Sequence, residues 1–286
     1  MEYLTMANGV KIPKLGFGVF QIPQDQTEQA VHDALEAGYR HFDTAQSYFN
    51  EEQLGTAIAD GGVDRSELFV TTKVWIEHYG YEQTKASIER SLTKLRMDYI
   101  DLVLLHQPFA DVYGAWRALE DLYEQGKIRS IGVSNFSPDR LADLGAFNRI
   151  APMADQIETN PRNQQITPHE EMAKRGVIHE AWAPFGEGRS GLFDDPTLKA
   201  IADNHGKSVA QVILRWLTQR DIVAIAKSVH KERMEQNLDI FDFRLGEQEM
   251  NAIAALDTKT SLFFDHHDPA TVDMFVHMLE ERRGRA

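Results

Sequence analysis

The segment Tyr39–Gly55, YRHFDTAQSYFNEEQLG, changes pattern halfway along its length. YRHFDTA reads as a β-strand, its aromatic residues running into Asp43 and Thr44, and NEEQLGTAIAD reads as a helix opening with Asn50 as its cap. This strand-then-helix unit recurs along the chain. KLGFGVF, YRHFDTA, LFVTTKV, IDLVLLH, IRSIGVS, MADQIET, VIHEAWA and DIVAIAK are eight strand candidates. TEQAVHDALEAG, YEQTKASIERSLTKL, AWRALEDLYEQG and SVAQVILRWLTQR carry apolar residues three and four apart, as amphipathic helices do. Strands alternating with helices at this spacing pair in parallel through right-handed crossovers. Eight such units predict a closed (β/α)8 TIM barrel rather than an open doubly wound sheet. The opening LTMANGVKIPKLG differs, because NG between short β-prone runs signals a β-hairpin, expected to plug the N-terminal end of the barrel. Extra helices are expected near the C-terminus, and residues 1–286 read as one domain.

Composition narrows the partners. Thirty basic against forty-four acidic side chains give a net charge of −14, which repels polyanions, so nucleic acid is not an expected partner. There is no cysteine, hence no disulfide, thiolate nucleophile or thiolate metal ligand. No apolar run is long enough to cross a membrane and no charged-then-apolar leader opens the sequence, so a cytoplasmic protein, free of the membrane and monomeric, is expected.

In a barrel of this kind chemistry sits where the strands end. Those ends are polar here: Asp43, Lys73, His106, Ser134 and Asn135, Gln156 and Glu158, Lys227 and Ser228. One such residue is an ordinary loop contact; their coincidence on one rim is what points to a site. Free tyrosine, with a pKa of about 10, is a poor acid at neutral pH. A lysine beside it favours its phenolate, and a carboxylate beside that lysine keeps the ammonium charged despite burial. Asp43, Lys73 and Tyr48 form such a chain, with Tyr48 as a tuned general acid. A neutral His106 can donate a hydrogen bond to the oxygen that Tyr48 protonates. The set suits reduction of an aldehyde or ketone.

From end to end the chain resembles an aldo-keto reductase. Asp43, Tyr48, Lys73 and His106 fall where that superfamily has its catalytic tetrad, and GVSNF, DQIETNP and IAKSVHKERMEQN are similar to its cofactor-binding segments. LLHQPFADVYGAWRALEDLYEQGKIRSIGVSNF is especially similar to bacterial members of the 2,5-diketo-gluconate reductase and prostaglandin F synthase type. The resemblance implies a nicotinamide cofactor lying across the barrel mouth. Ser134, Asn135 and Gln156 would hydrogen-bond its carboxamide and Trp182, a tyrosine in many relatives, would stack on its ring. Lys227, Ser228 and Arg233 would surround an adenosine 2′-phosphate, with Gln236 and Asn237 near adenine, so NADPH/NADP+ is the expected cofactor. Phe20, Trp75, His106 and Gln107 occupy substrate-facing positions in relatives, and Phe263 and Phe264 of the tail can close over them. A small carbonyl compound is the expected substrate.

Lys73 at a strand end also suits a Schiff-base aldolase, although an aldolase has no need of the basic segment after Ala226. A non-catalytic nucleotide-sensing barrel is a further reading, against which the complete tetrad argues. A metal hydrolase would need convergent ligands, whereas Glu51 and Glu52 open a helix and His266 and His267 lie in a polar tail, so no metal is expected.

Overall fold

The computed structural model describes residues 1–189 and 191–283. Strands β1 (Tyr3–Thr5) and β2 (Lys11–Pro13) form an antiparallel hairpin. Strands β3 (Leu15–Gly18), β4 (His41–Asp43), β5 (Phe69–Val74), β6 (Leu102–Leu105), β7 (Ile131–Ser134), β8 (Ala154–Glu158), β9 (Ile178–Trp182) and β10 (Val223–Ala226) follow, one from each β-rich run. They pair in parallel and in chain order, and β10 returns to β3 to close the barrel. Around it run α1 (Gln24–Ala37), α2 (Glu51–Asp60), α3 (Tyr81–Leu95), α4 (Val112–Glu124), α5 (Pro138–Ala146), α6 (Ile166–Lys174), α7 (Pro196–His205) and α8 (Val209–Gln219). The expected extra helices are α9 (Lys231–Leu238), α10 (Glu247–Ala254) and α11 (Pro269–Arg283).

Strands covered on both faces become nearly continuous apolar runs, and Leu102, Val103, Leu104 and Leu105 of β6 are accordingly without solvent exposure. The helices press inward with equally large side chains: Trp116 of α4 and Trp216 of α8 are almost fully buried. Gly55 in α2 has a steric cause, since a Cβ there would lie 2.6 Å from the backbone of Leu95 at the end of α3. The hairpin sits at the N-terminal end of the barrel. Asn8 Nδ2 donates to Arg129 O (2.8 Å) just before β7, and buried Lys14 Nζ donates to Glu2, Asp221 and Thr218 O, tying the hairpin to the end of α8.

One local expectation is corrected. Asn50 occupies the position before α2, but its side chain does not cap the helix. Its Oδ1 accepts from Thr44 Oγ1 and its Nδ2 donates to Val19 O, each at 2.9 Å, so it staples the loops after β3 and β4 together. The tight loop carrying Tyr48 is thereby fixed at both ends.

Candidate active site

Register places Asp43 of β4 opposite Thr71 of β5, and Lys73 stands two residues further along the same face. Lys73 has no solvent exposure. Its Nζ donates to Asp43 Oδ1 at 2.5 Å and Thr44 O at 3.0 Å, and lies 3.4 Å from Tyr48 Oη. Three donors thus meet three acceptors, which satisfies a buried ammonium. Tyr48 lies in the short turn Gln46–Tyr48, and that turn is held from below by Gln46, whose Nε2 donates to Ser87 and Ser91 and whose Oε1 accepts from Trp75 N. The His106 ring meets Tyr48 edge to face at 5.7 Å between centroids.

Electrostatics follow from this enclosure. Burial favours the neutral amine of Lys73, but the charge of Asp43 and then Tyr48 outweigh it and raise the pKa. Burial, then the Lys73 charge, hold His106 well below the usual histidine range, so it is neutral at pH 7. Tyr48 departs from the sequence expectation of a lowered pKa. Lys73 does act downward, but burial outweighs it and, with Asp43, leaves the phenol above its ordinary value.

A second layer surrounds this one. Gln156 Nε2 donates both to Asp43 Oδ2 (2.9 Å) and to Glu180 Oε2 (3.1 Å), so its amide nitrogen bridges two carboxyl groups. Ser134 Oγ donates to Gln156 O (2.7 Å). Asn135, held at φ +64°, donates through Nδ2 to His106 O (3.1 Å) and Ser134 Oγ (3.0 Å), while its Oδ1 accepts from Trp182 Nε1 at 2.9 Å. The side chains expected to grip a carboxamide are therefore wired together, with the Gln156 nitrogen and both ends of the Asn135 amide engaged.

At the far end, Ser228 is buried and its Oγ accepts from His230 N before α9. Asn237 is buried and hydrogen-bonds Tyr39. Lys231 pairs with Glu36, but among the described residues no carboxylate or hydrogen-bond acceptor engages the side chains of exposed Lys227 and Arg233. At the near end, the Phe20 ring lies 4.7 Å from Tyr48, Trp75 lies 5.1 Å from His106, and Phe263 lies 5.1 Å from Trp182. Of the site residues expected from the sequence, all except the fully buried Lys73 line one cleft of about 1170 Å3.

Sequence reasoning assigned no role to three participants. Glu180 is two residues before Trp182 in β9, and that alternation alone puts it on the inward face beside Gln156. Glu158 anchors the tail, accepting from Ser261 Oγ at 2.5 Å and Leu262 N at 3.0 Å. His266 was expected in a free polar tail; instead its ring nitrogen lies 3.0 Å from Gln107 Oε1 and its ring stacks on Phe109. Among the described residues no cluster of His, Asp and Glu is arranged to hold a metal ion, and no helix is long and apolar enough to cross a membrane.

A closed barrel with a buried carboxylate–ammonium–phenol chain at its mouth defines an oxidoreductase of the carbonyl-reducing class. Comparison with known proteins agrees: the Aldo/keto reductase family profile matches residues 14–258. The chain is 46% identical over 258 residues to glyoxal reductase of Bacillus subtilis, covering 90% of this chain and 93% of that one. Among solved structures, an aldo-keto reductase from a Medee basin deep-sea metagenome library superposes with TM-score 0.91 at 40% identity, covering 93% of this chain and 98% of the other. The Bombyx mori aldo-keto reductase in complex with NADP superposes with TM-score 0.88 at 37% identity, covering 92% and 95%. The protein belongs to the aldo/keto reductase family.

Proposed function

We propose that the protein reduces small aldehydes and ketones to alcohols with NADPH, Tyr48 donating the proton. The observation that carries this reading is the chain Asp43–Lys73–Tyr48, with Nζ at 2.5 Å from the carboxylate and 3.4 Å from the phenol oxygen. A phenol with a raised pKa keeps its proton throughout the neutral range, so the acid is always loaded. Lys73 then favours the departure of that proton by stabilising the phenolate left behind. His106 Nδ1 lies 3.4 Å from Ser47 Oγ. A hydroxyl donating there puts the imidazole proton on Nε2, free to hold the substrate carbonyl oxygen in place.

The donor set fits a nicotinamide dinucleotide. Gln156 and Asn135 line the cleft; with its nitrogen taken by Asp43 and Glu180, Gln156 keeps its amide oxygen for a carboxamide NH2, and Trp182 presents an aromatic plane nearby. Lys227 and Arg233, exposed and unpaired among the described residues, are the charges a 2′-phosphate would neutralise, with Ser228, Gln236 and Asn237 lining the same stretch of cleft. When bound, the dinucleotide supplies a hydride. The complex of the Bombyx mori relative with NADP and the activity named for the Bacillus subtilis relative support cofactor and substrate class.

Purified protein should oxidise NADPH when methylglyoxal or 4-nitrobenzaldehyde is added. No oxidation with either would sink the proposal. A protonated Lys73 is a poor Schiff-base nucleophile; trapping a carbonyl compound on it with borohydride would restore the aldolase reading.

A further inference from the structure

Arg282 of α11 lies outside the segment matched by the family profile, yet its side chain lines the cleft. The guanidinium is clamped between two aromatic rings, with Cζ 5.2 Å from the centroids of both Phe49 and Trp75. Trp75 in turn contacts the His106 ring, so a single indole adjoins both the guanidinium and the imidazole. The Arg282 charge reaches His106, where it is one of the influences disfavouring the imidazolium. Its Nη1 is buried without a hydrogen-bond partner, and none of the described carboxylates pairs with it. A buried guanidinium N–H normally finds an acceptor. The net charge of the chain is −14, yet no described carboxylate neutralises this cation beside the proposed reaction centre.

We infer that Arg282 binds a carboxylate on the substrate, so that the preferred substrates are oxo-acids whose carbonyl and carboxylate are separated by a spacer. This assignment rests on the reductase reading above and names the substrate class of that site. A planar guanidinium lining the cleft matches a carboxylate in charge and in its paired donors. Trp75 adjoins both Arg282 and His106, so the assignment puts a spacer between the carboxylate and the reacting carbonyl. One lone cation suits a monoanion; at the opposite end of the cleft two unpaired cations, Lys227 and Arg233, stand together.

The test compares kcat/KM for 4-formylbenzoate and for its methyl ester, in wild type and in Arg282→Met. Using the ratio of the two substrates cancels their intrinsic reactivity and any general loss of function. The acid-to-ester ratio should fall at least tenfold in Arg282→Met and be partly retained in Arg282→Lys, which keeps the charge but not the fork. An unchanged ratio, with both substrates falling together or neither falling, would overturn the assignment and leave Arg282 as a packing residue of α11. A wild-type preference for 4-formylphenyl phosphate over 4-formylbenzoate would overturn the carboxylate in favour of a phosphate. Failure of the wild type to turn over any of these aldehydes would instead overturn the reductase reading, and this inference with it.

Discussion

The two ends of the cleft are built on opposite terms. At the tetrad, every donor of Lys73 has its acceptor, Asp43 is held on both oxygens, and the groups are buried before any ligand arrives. At the segment from Lys227 to Asn237, Lys227 and Arg233 are exposed and unpaired among the described residues, beside buried Ser228 and Asn237. The first region resembles core: it is part of what holds β4, β5, β8 and β9 together. In the second, the two free cations lie at the surface, where the proposed cofactor would meet them. Substitutions in the first should therefore cost stability together with turnover, and those in the second should cost affinity alone.

Lys73→Met tests the contrast most severely. It leaves Asp43 buried without its ion-pair partner, and removing one member of a buried pair costs about 3–5 kcal/mol. Urea denaturation should register that loss along with the loss of reduction. A variant of normal stability would mean the floor is not structural. Next comes Tyr48→Phe, which removes the transferable proton and one acceptor of Lys73 but leaves its ion pair with Asp43. Turnover should drop by at least about 100-fold, while NADPH titration stays near normal; near-normal turnover would break the proposed role of the tetrad.

At the other end, Arg233→Ala should weaken NADPH by about tenfold, the lower part of the range for a charged hydrogen bond because the side chain is exposed and screened. NADH should be nearly unaffected, and added salt should reproduce part of the effect in the wild type. Equal weakening of both cofactors in fluorescence titration would assign Arg233 to the fold or to adenine. The last test concerns Glu180. Burial and the Asp43 charge push its carboxyl up to about 8. In the window from its ordinary 4.5 up to about 8 the unfolded chain has lost this proton while the folded chain keeps it. Stability therefore falls as pH rises through that window, by at most about 1.4 kcal/mol per pH unit. Glu180→Gln should flatten that slope in thermal unfolding; an identical slope would show that Glu180 is ionised in the native state.

What could be read in the sequence divides along the same line. The eight β-rich runs all became barrel strands because their signal, apolar runs closed by polar ends, is local. That Asp43, Tyr48, Lys73 and His106 would meet was legible since barrel closure itself brings strand ends together, and the family resemblance supplied the proposed cofactor segment. What stayed hidden depends on atoms meeting across the barrel. That Gln156 spends its nitrogen on Asp43 and Glu180 depends on the register of β8 against β9 and on the tilt that brings β4 near. The upward shift of Tyr48 reflects how tightly the cleft encloses it, which residue types do not state. Arg282 and His266 lay far from any motif, and only the return of α11 over the mouth gives them a place.

The bridging amide of Gln156 has a use apart from holding the site. Its two N–H bonds point at carboxyl groups of opposite tendency, one beside an ammonium and one driven toward its neutral form. The resonances of those two protons should therefore be split in a way that tracks the charge on each side. With nitrogen-labelled glutamine, this one side chain becomes a voltmeter built into the barrel, reading whether Asp43 or Glu180 has changed its proton without any atom of the site being altered.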